Sequence, residues 1–500
     1  MSQKRLIFQN LTFSYAGLSR EIFRELSFEL SGGWTGIIGR NGVGKSTLLR
    51  LAAGVLPPDK GQVILSGSCI YCAQSTEEKP ALPEGFLESD DHYTYQLMSM
   101  LEIRGSWLGR WESLSHGERK RIQIAAALYQ DPDCFALDEP TNHLDEETKR
   151  KIVNTLRQYR GLGLIVSHDR SLLDDLCTRC LFISQQKCVI RPGGYTQGRD
   201  QERLEEESVL RKYGNMKKEQ ARLKKEIIRR REQDARARRR CTKRNLDPRD
   251  SDGRGKVNRA RLTGKDATGG KLIAQITGRY ERLVNESDRI SLRKAEKTGV
   301  TLYSAVSGKD RLWQNTDSKI PLGAAGSLIL PELVIRPGDR IGLTGSNGTG
   351  KSTLVNHILQ CIHIPEEKRL CLPQEIVSSE SVRILERIRR LPNSEKGKLL
   401  SCFSRLGSAP ESLLETEMPS PGETRKMLLC LGLLAEPELI VLDEPTNHLD
   451  IVSMECLEAL LGECRCSLVL VSHDRVFIGK LTDIRWHIVK EEKNSRLRVL

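Results

Sequence analysis

The chain repeats itself at a fixed distance, and this limits its folds more than any other property. DEPTNHLD fills residues 138–145 and, unchanged, residues 443–450. VSHDR fills 166–170 and 471–475, while GRNGVGKST begins at Gly39 and GSNGTGKST at Gly345. The offsets are 305, 305 and 306 residues, so the motifs keep both order and spacing. Two copies of one domain account for that constancy. They occupy residues 1–195 and 298–500, and residues 196–297 lie between them. At about 100–200 residues per domain, 500 residues accommodate three units, the intervening segment being the third.

Each copy reads as α/β. Apolar runs at Trp34–Ile38 and Ile341–Leu343 lead into the glycine loops, and Cys134–Leu137 and Leu439–Leu442 lead into DEPTNHLD. Helical patterns follow each loop, and strands alternating with helices predict a largely parallel sheet. Gly39-x4-Gly44-Lys45-Ser46 and Gly345-x4-Gly350-Lys351-Ser352 are P-loops. Their glycines let backbone N–H groups turn inward around phosphates at a helix N-terminus. Gly39, Asn41, Gly42, Gly44, Lys45, Ser46 and Thr47 are the expected ATP-binding residues of the first copy. Gly345, Asn347, Gly348, Gly350, Lys351, Ser352 and Thr353 are those of the second. The lysines reach the β- and γ-phosphates, and Ser46 and Ser352 ligate Mg²⁺. Asp138 and Asp443 each end an apolar strand, which suits a carboxylate that holds Mg²⁺ through water. Glu139 and Glu444 follow directly, placed to polarise an attacking water.

The charge is concentrated in one place. The chain has 79 Lys+Arg against 66 Asp+Glu, a net of +13, but residues 211–270 alone hold 22 against 8. That stretch carries +14 and the other 440 residues sum to −1, which points to a polyanion contacting one segment. Val209, Tyr213, Met216, Gln220, Leu223 and Ile227 follow a 4-3-4-3-4 spacing, a narrow coiled-coil seam. A second seam runs through Ile276, Tyr280, Leu283 and Ile290. Between them Pro248 and several glycines make 247–270 a loop. The segment is therefore expected to be two antiparallel helices, the first over about 200–245, with a basic tip at about 244–271. Tyr213 and Tyr280, the two aromatics of the segment, fit the seam, so readout of single strands by stacking is not expected. Folded RNA met through shape and phosphates suits it better.

Other classes are excluded by composition. Hydrophobic residues make up 38%, enough for globular cores. No apolar run reaches the ~18 residues of a membrane span. MSQKRLIFQN has no signal-peptide pattern, so a cytoplasmic protein is expected. The fourteen cysteines then read as reduced thiols. Cys69/Cys72 and Cys177/Cys180 form CxxC pairs without a matching pair at zinc-finger spacing, so they are read as structural.

With these motifs in place, the two copies resemble ATP-binding-cassette (ABC) domains. The fold expected is two P-loop ABC-type nucleotide-binding domains joined by an antiparallel helical hairpin linker. The resemblance implies that Gln74 and Gln374 are Q-loop glutamines, further Mg²⁺ ligands. It implies that His168 and His473 are switch histidines, that Asp145 and Asp450 belong to D-loops, and that Tyr15 stacks on adenine. The second copy has no equally clear aromatic. In this family the signature of one half closes over the ATP of the other. The signatures here read Leu114-Ser115-His116-Gly117-Glu118 and Pro419-Ser420-Pro421-Gly422-Glu423, so Ser115, Gly117, Ser420 and Gly422 are expected at ATP. Pro421 has no N–H to give. Both glutamates are present, and both sites are expected to hydrolyse ATP.

The gaps between Q-loop and signature are short, 41 and 46 residues, and the helical segment lies between two complete cassettes. That arrangement resembles the ABC-F family, which works on ribosomes, over nearly the whole chain. The tip, KRNLDPRDSDGRGKVNRARLTGKDATGGK at 243–271, resembles ABC-F antibiotic-resistance proteins of the Lsa and Vga type. The resemblance implies a monomer whose cassettes clamp two ATP, with the ribosome as partner through 23S rRNA and P-site tRNA. Expected contacts are Arg238, Arg239, Arg240, Lys243, Arg244, Arg254, Lys256, Arg259, Arg261 and Lys265. It implies dislodging lincosamides, pleuromutilins and streptogramin A compounds from the peptidyl transferase centre. Two other readings share the motifs: a housekeeping ABC-F translation factor, and the ATPase subunit of an ABC transporter.

Overall fold

The computed structural model describes the chain apart from residues 1–3, 18–20, 81, 84–85, 87–91, 108, 143, 185–186, 241–264, 290–304, 324–325, 375, 377, 409–418 and 492–493. The side chains of 237–240, 265–270, 289 and 378–379 also lie outside the description. Two compact units result, Met1–Gly198 with Lys297–Leu500, and Arg199–Glu296.

In the larger unit each half is built on a mostly parallel sheet. The first half contains β1 (Arg5–Phe13), β2 (Phe23–Ser31), β3 (Gly33–Ile38), α1 (Lys45–Ala52), β4 (Lys60–Leu65), β5 (Cys69–Cys72) and α2 (His92–Met100). It continues through α3 (His116–Tyr129), β6 (Cys134–Asp138), α4 (Glu146–Leu156), β7 (Leu162–Val166), α5 (Arg170–Leu176), β8 (Arg179–Ser184) and β9 (Lys187–Pro192). Its main sheet has the order β5-β6-β7-β3-β8-β9, parallel except for β9, and β2-β1-β4 form a separate antiparallel sheet. After α6 (Tyr195–Arg240) and α7 (Lys265–Arg289), the second half begins with β10 (Trp313–Gln314), β11 (Lys319–Pro321), β12 (Ser327–Ile329) and β13 (Val334–Ile335). Next come β14 (Arg340–Gly345), α8 (Lys351–Cys361), β15 (Arg369–Leu372), α9 (Ser378–Arg389), α10 (Asn393–Arg405) and α11 (Pro421–Leu434). It closes with β16 (Leu439–Asp443), α12 (Ile451–Glu463), β17 (Ser467–Val471), α13 (Arg475–Leu481), β18 (Ile484–Lys490) and β19 (Ser495–Val499). Its eight-stranded sheet, β11-β12-β19-β18-β14-β17-β16-β15, contains the first sheet's order at one end.

Composition explains the central strands. CFALD and LIVLD are buried at every position, as a parallel strand covered on both faces must be. Each ends on its aspartate, paired in register with the last valine of the neighbouring strand. The P-loops leave β3 and β14, one strand further on, so phosphate loop and carboxylate emerge at the same carboxyl edge. One buried apolar cluster runs through both halves, from Trp34 and Phe135 to Leu442 and Phe477. Cys69 and Cys72 lie on β5, and Cys177 and Cys180 are buried at the end of α5 and on β8, without a disulfide among the described residues.

The smaller unit is helical. Gln220, Leu223 and Ile227 are buried on α6, while Tyr213 and Met216 are half-buried. Val209, expected in the seam, is 40% exposed, so the seam starts at Tyr213. On α7 Ile276, Tyr280 and Leu283 are half-buried, and Ser287 is 3% exposed at the next heptad position. Gln220 Nε2 donates to Leu283 O at 2.8 Å and to Ser287 Oγ at 2.9 Å. A polar pair at one seam position fixes register. Gln220 precedes the end of α6 by 20 residues and its partners follow the start of α7 by 18 and 22, as an antiparallel hairpin requires. The loop expected over 247–270 is shorter than that, because α7 already includes 265–270. Gly269 and Gly270 were read as breakers, but each costs only about 1 kcal/mol in a helix interior, and propagation along a 25-residue helix carries them. Ile290, Lys243, Arg244, Arg254, Lys256, Arg259 and Arg261 lie outside the described residues, as do the side chains of Arg238, Arg239, Arg240 and Lys265.

Candidate active sites

Each P-loop is shaped by glycine. Gly42 and Gly44 have φ of 74° and 103°, and Gly348 and Gly350 have 75° and 99°, a region that L side chains avoid. A Cβ on Gly44 would stand 2.6 Å from Ile22, and one on Gly350 2.7 Å from Leu322, so space and conformation both demand glycine. Neither following helix has a side-chain cap, which leaves its first N–H groups for an anion. Lys45 Nζ donates to Gly39 O at 2.9 Å and Arg40 O at 3.2 Å, and Lys351 Nζ to Gly345 O at 2.8 Å and Ser346 O at 3.1 Å. Each lysine is folded onto its own loop, and burial lowers both pKa values.

The carboxylates gather opposite. Glu139 and Glu444 have φ of 45° and 48°, a strained conformation costing about 1–3 kcal/mol that tends to mark functional sites. Their N–H groups extend the ladder to Val166 O and Val471 O, both at 2.9 Å, which holds the turn. Glu139 Oε2 accepts from the His168 N–H at 3.2 Å, and the His473 backbone bonds Glu444 likewise. The other oxygen, Oε1, is buried without a hydrogen-bond partner in both residues. His168 Nε2 stands 3.3 Å and His473 Nε2 3.6 Å from it, without hydrogen-bond alignment. Burial, opposed by Lys45 and assisted by Asp138, raises the Glu139 carboxyl to about 8. Burial raises Glu444 to about 7, and lowers His168 to about 3 and His473 to about 4. Both carboxyls thus titrate near neutrality, where a proton acceptor for water is most effective.

The aspartates differ. Ser352 Oγ donates to Asp443 Oδ2 at 3.0 Å, whereas Asp138 Oδ2 accepts from Tyr71 OH at 3.0 Å, and its Oδ1 is buried with no partner. Hydroxyl and carboxylate oxygens are the hard donors Mg²⁺ prefers. Asp138 Oδ1 and the Ser352–Asp443 pair therefore fit that ion. Gln374 borders the second site, and both Gln74 and Gln374 are exposed.

Each Q-loop is held by a buried cation from the signature helix. Lys120 Nζ donates to Ala73 O at 2.7 Å and Gln74 O at 3.2 Å. Arg425, 305 residues on, donates to Glu444 O at 2.5 Å and to Gln374 O. Sequence reasoning missed both; a basic residue two places after each signature glutamate was the available signal. The signatures themselves are matched. Ser115 and Ser420 cap α3 and α11 with near-identical φ/ψ, −65°/158° and −64°/159°, each in a capping box with Glu118 or Glu423. Pro421 stands at N1, where a missing N–H costs the helix nothing. Gly422 lies against His448 O, which a Cβ would approach to 2.7 Å.

The two halves meet around these loops. Asn41 N donates to Asp450 Oδ2 at 2.8 Å, and Asn41 Nδ2 to His448 O at 3.1 Å, so the first P-loop touches the second D-loop. The counterpart Asn347 instead bonds His473 Nε2 at 3.1 Å. A cavity of about 450 Å³ lies at the second P-loop, bordered by Lys351, Ser352, Asp443, Glu444 and His473 and, from the first half, Glu139, Lys149 and His168. Ser115 and Gly117 are not among its lining residues. Asp145 caps α4 through Thr148 N at 3.0 Å. Tyr15 OH stands 3.0 Å from Thr47 Oγ1 at the first P-loop, and Leu322, which meets Gly350 as Ile22 meets Gly44, borders the second. Further out, Arg170 joins Glu458 at 2.5 Å and Asp474 at 3.1 Å across the halves, and Lys480 adds a bond to Glu458 at 2.8 Å.

Comparison with known proteins agrees with this geometry. The ABC transporter family model matches twice, over residues 23–142 and 331–447. The ribosome protection protein VmlR of Bacillus subtilis (strain 168) is 27% identical, over 94% of this chain and 84% of its own length. The probable ATP-binding protein YheS of Escherichia coli (strain K12) is 27% identical, over 90% of this chain and 73% of its own. Among solved structures, the archaeal ribosome recycling factor aABCE1 in complex with the ribosomal stalk protein aP1 superposes with a TM-score of 0.61 at 18% identity. That match covers 98% of this chain and 89% of the other, and it speaks to the fold. Among the described residues no helix is long and apolar enough to cross a membrane.

Proposed function

We propose that this chain, in which the ABC transporter family model matches twice, is a ribosome-associated ATPase of the ABC-F group that uses two ATP to control its stay on the ribosome. The observation that carries the reading is the pairing of two complete catalytic sets with a basic helical hairpin, in a chain matching a ribosome protection protein over 94% of its length. Lys45 and Lys351 bind the phosphates. Ser46, Asp138 and Gln74, and Ser352, Asp443 and Gln374, would hold Mg²⁺, which supplies charge neutralisation at the phosphates. Glu139 and Glu444 take a proton from the attacking water at their free Oε1 atoms, and His168 and His473 orient the γ-phosphate side of each site. Ser115, Gly117, Ser420 and Gly422 complete the sites from the opposite half when the cassettes close.

The hairpin tip is proposed to meet 23S rRNA and P-site tRNA near the peptidyl transferase centre, and so to give resistance to lincosamides, pleuromutilins and streptogramin A compounds. The test is sedimentation of the Glu139→Gln, Glu444→Gln double variant with ribosomes in ATP. Retention on ribosomes is expected. Normal ATP binding without co-sedimentation would defeat the reading. Drug susceptibility with and without the protein then separates resistance from a housekeeping role in translation.

A further inference from the structure

The linker does not hold all the concentrated positive charge. Residues 383–390 of the second half contain four arginines and one glutamate. Arg383, Arg387 and Arg390 are exposed and border a shallow depression of about 340 Å³ with Leu391 and Pro392. Their spacing of four and three residues places them on one helical face. The opposite face, Ile384, Leu385 and Ile388, is buried and packs toward α11. Arg390 lies 3.9 Å from Glu386, an exposed pair, and Arg383 and Arg387 have no ion-pair partner among the described residues. In the first half the helix packed on the signature helix is α2, HYTYQLMSM, which has no Lys or Arg. The arginine face therefore belongs to one copy and is not a requirement of the fold.

We propose that Arg383, Arg387 and Arg390 form a second polyanion-binding surface, one that docks on the phosphate backbone of structured RNA. Identifying that RNA as ribosomal rests on the reading above. Guanidinium forks pair with phosphate oxygens in two-point fashion. Seven residues of helix advance about 10 Å, a length facing about three phosphates at ~3.4 Å rise per strand. A protein partner would need an apolar anchor at the centre of the contact. This face offers Val382, 39% exposed, with the half-buried Leu391 and the exposed Pro392 at its edge and no aromatic residue, so phosphate is the better match.

The test is the full-length Arg383→Gln, Arg387→Gln, Arg390→Gln variant, titrated with ribosomes and with protein-free ribosomal RNA over a range of KCl. On both, affinity should fall at least about tenfold and the log–log salt slope should drop by about 2–3 units. The triple Lys variant should regain most of the slope, and ribosome-free ATP turnover should be unchanged. Equal affinity and slope for variant and wild type on both probes would overturn the proposal. Weakening on ribosomes with no change on free RNA would assign the face to a ribosomal protein, and would also overturn it. If wild type ignores ribosomes yet shows the arginine-dependent slope on free RNA, the RNA surface stands and the ribosome reading falls.

Discussion

Tyr71 in the first cassette and Cys371 in the second hold the same register, each beside the residue two places before its aspartate. The tyrosine bonds Asp138; in the second cassette the bond to Asp443 comes from the P-loop serine. The contact between halves differs more. Arg170 is 4% exposed against Glu458 and Asp474, whereas its counterpart Arg475 is 63% exposed and meets Glu146 at 3.3 Å. The position corresponding to Glu458 is Val153, beside a cavity of about 280 Å³. The P-loop lysines and the catalytic carboxylates are thus duplicated, and of the anchor residues Arg170, Glu458 and Asp474, Glu458 is the one that its counterpart, Val153, does not match. Catalysis constrains both copies alike, but an interface between unlike partners is free to place its ionic anchor on one side.

The largest effect tests the equality of the catalytic sets. Glu139→Gln with Glu444→Gln should lower phosphate release at least about 100-fold, the usual worth of a positioned base. Each single variant should keep about half the turnover, one equivalent site of two surviving. If either single variant matches the double, the sites are unequal. Next comes the ionic anchor. Arg170→Met takes a buried cation from Glu458, which keeps Lys480, and from the half-buried Asp474, and should cost about 2–3 kcal/mol in urea melts. Arg475→Met, on the exposed side, should cost less than about 1 kcal/mol. Similar losses from the two would erase the asymmetry. A smaller effect is expected at Tyr71. Tyr71→Phe removes one hydrogen bond from the Asp138 carboxylate, about 1.5 kcal/mol. It should shift the Mg²⁺ midpoint for nucleotide binding about tenfold at the first site and leave the second alone. The smallest is Pro421→His, which copies the first signature. With the two caps superimposable, it should change stability by less than about 0.5 kcal/mol and turnover by less than twofold, as seen in melts and phosphate release.

What could be read from sequence was what lies close in sequence. The P-loops, Asp138–Glu139 and Asp443–Glu444 are short strings whose chemistry requires their spacing, and the apolar runs before them are buried throughout. The hairpin seam was legible because periodicity is local, although Ser287 was passed over for being polar and Val209 was included for being apolar. The tie between Tyr71 and Asp138 spans 67 residues and that between Arg170 and Glu458 spans 288, and no local pattern announces either. The arginine face of α9 was hidden by averaging, since its charge disappears into a domain total near zero. The roles of Lys120 and Arg425 depend on burial, which a basic residue in a helix does not advertise.

The lone glutamate at 458 also gives the two halves handedness toward each other. Two first halves set face to face would put Val153 where each Arg170 now meets Glu458, leaving it Asp169, the counterpart of Asp474, as the remaining acid of the anchor. A first half meeting a second satisfies the guanidinium at once. The halves should therefore favour the unlike pairing even if the hairpin were cut and they were made as separate chains. On that view the covalent connection matters less for choosing the partner than for fixing one hairpin to every pair.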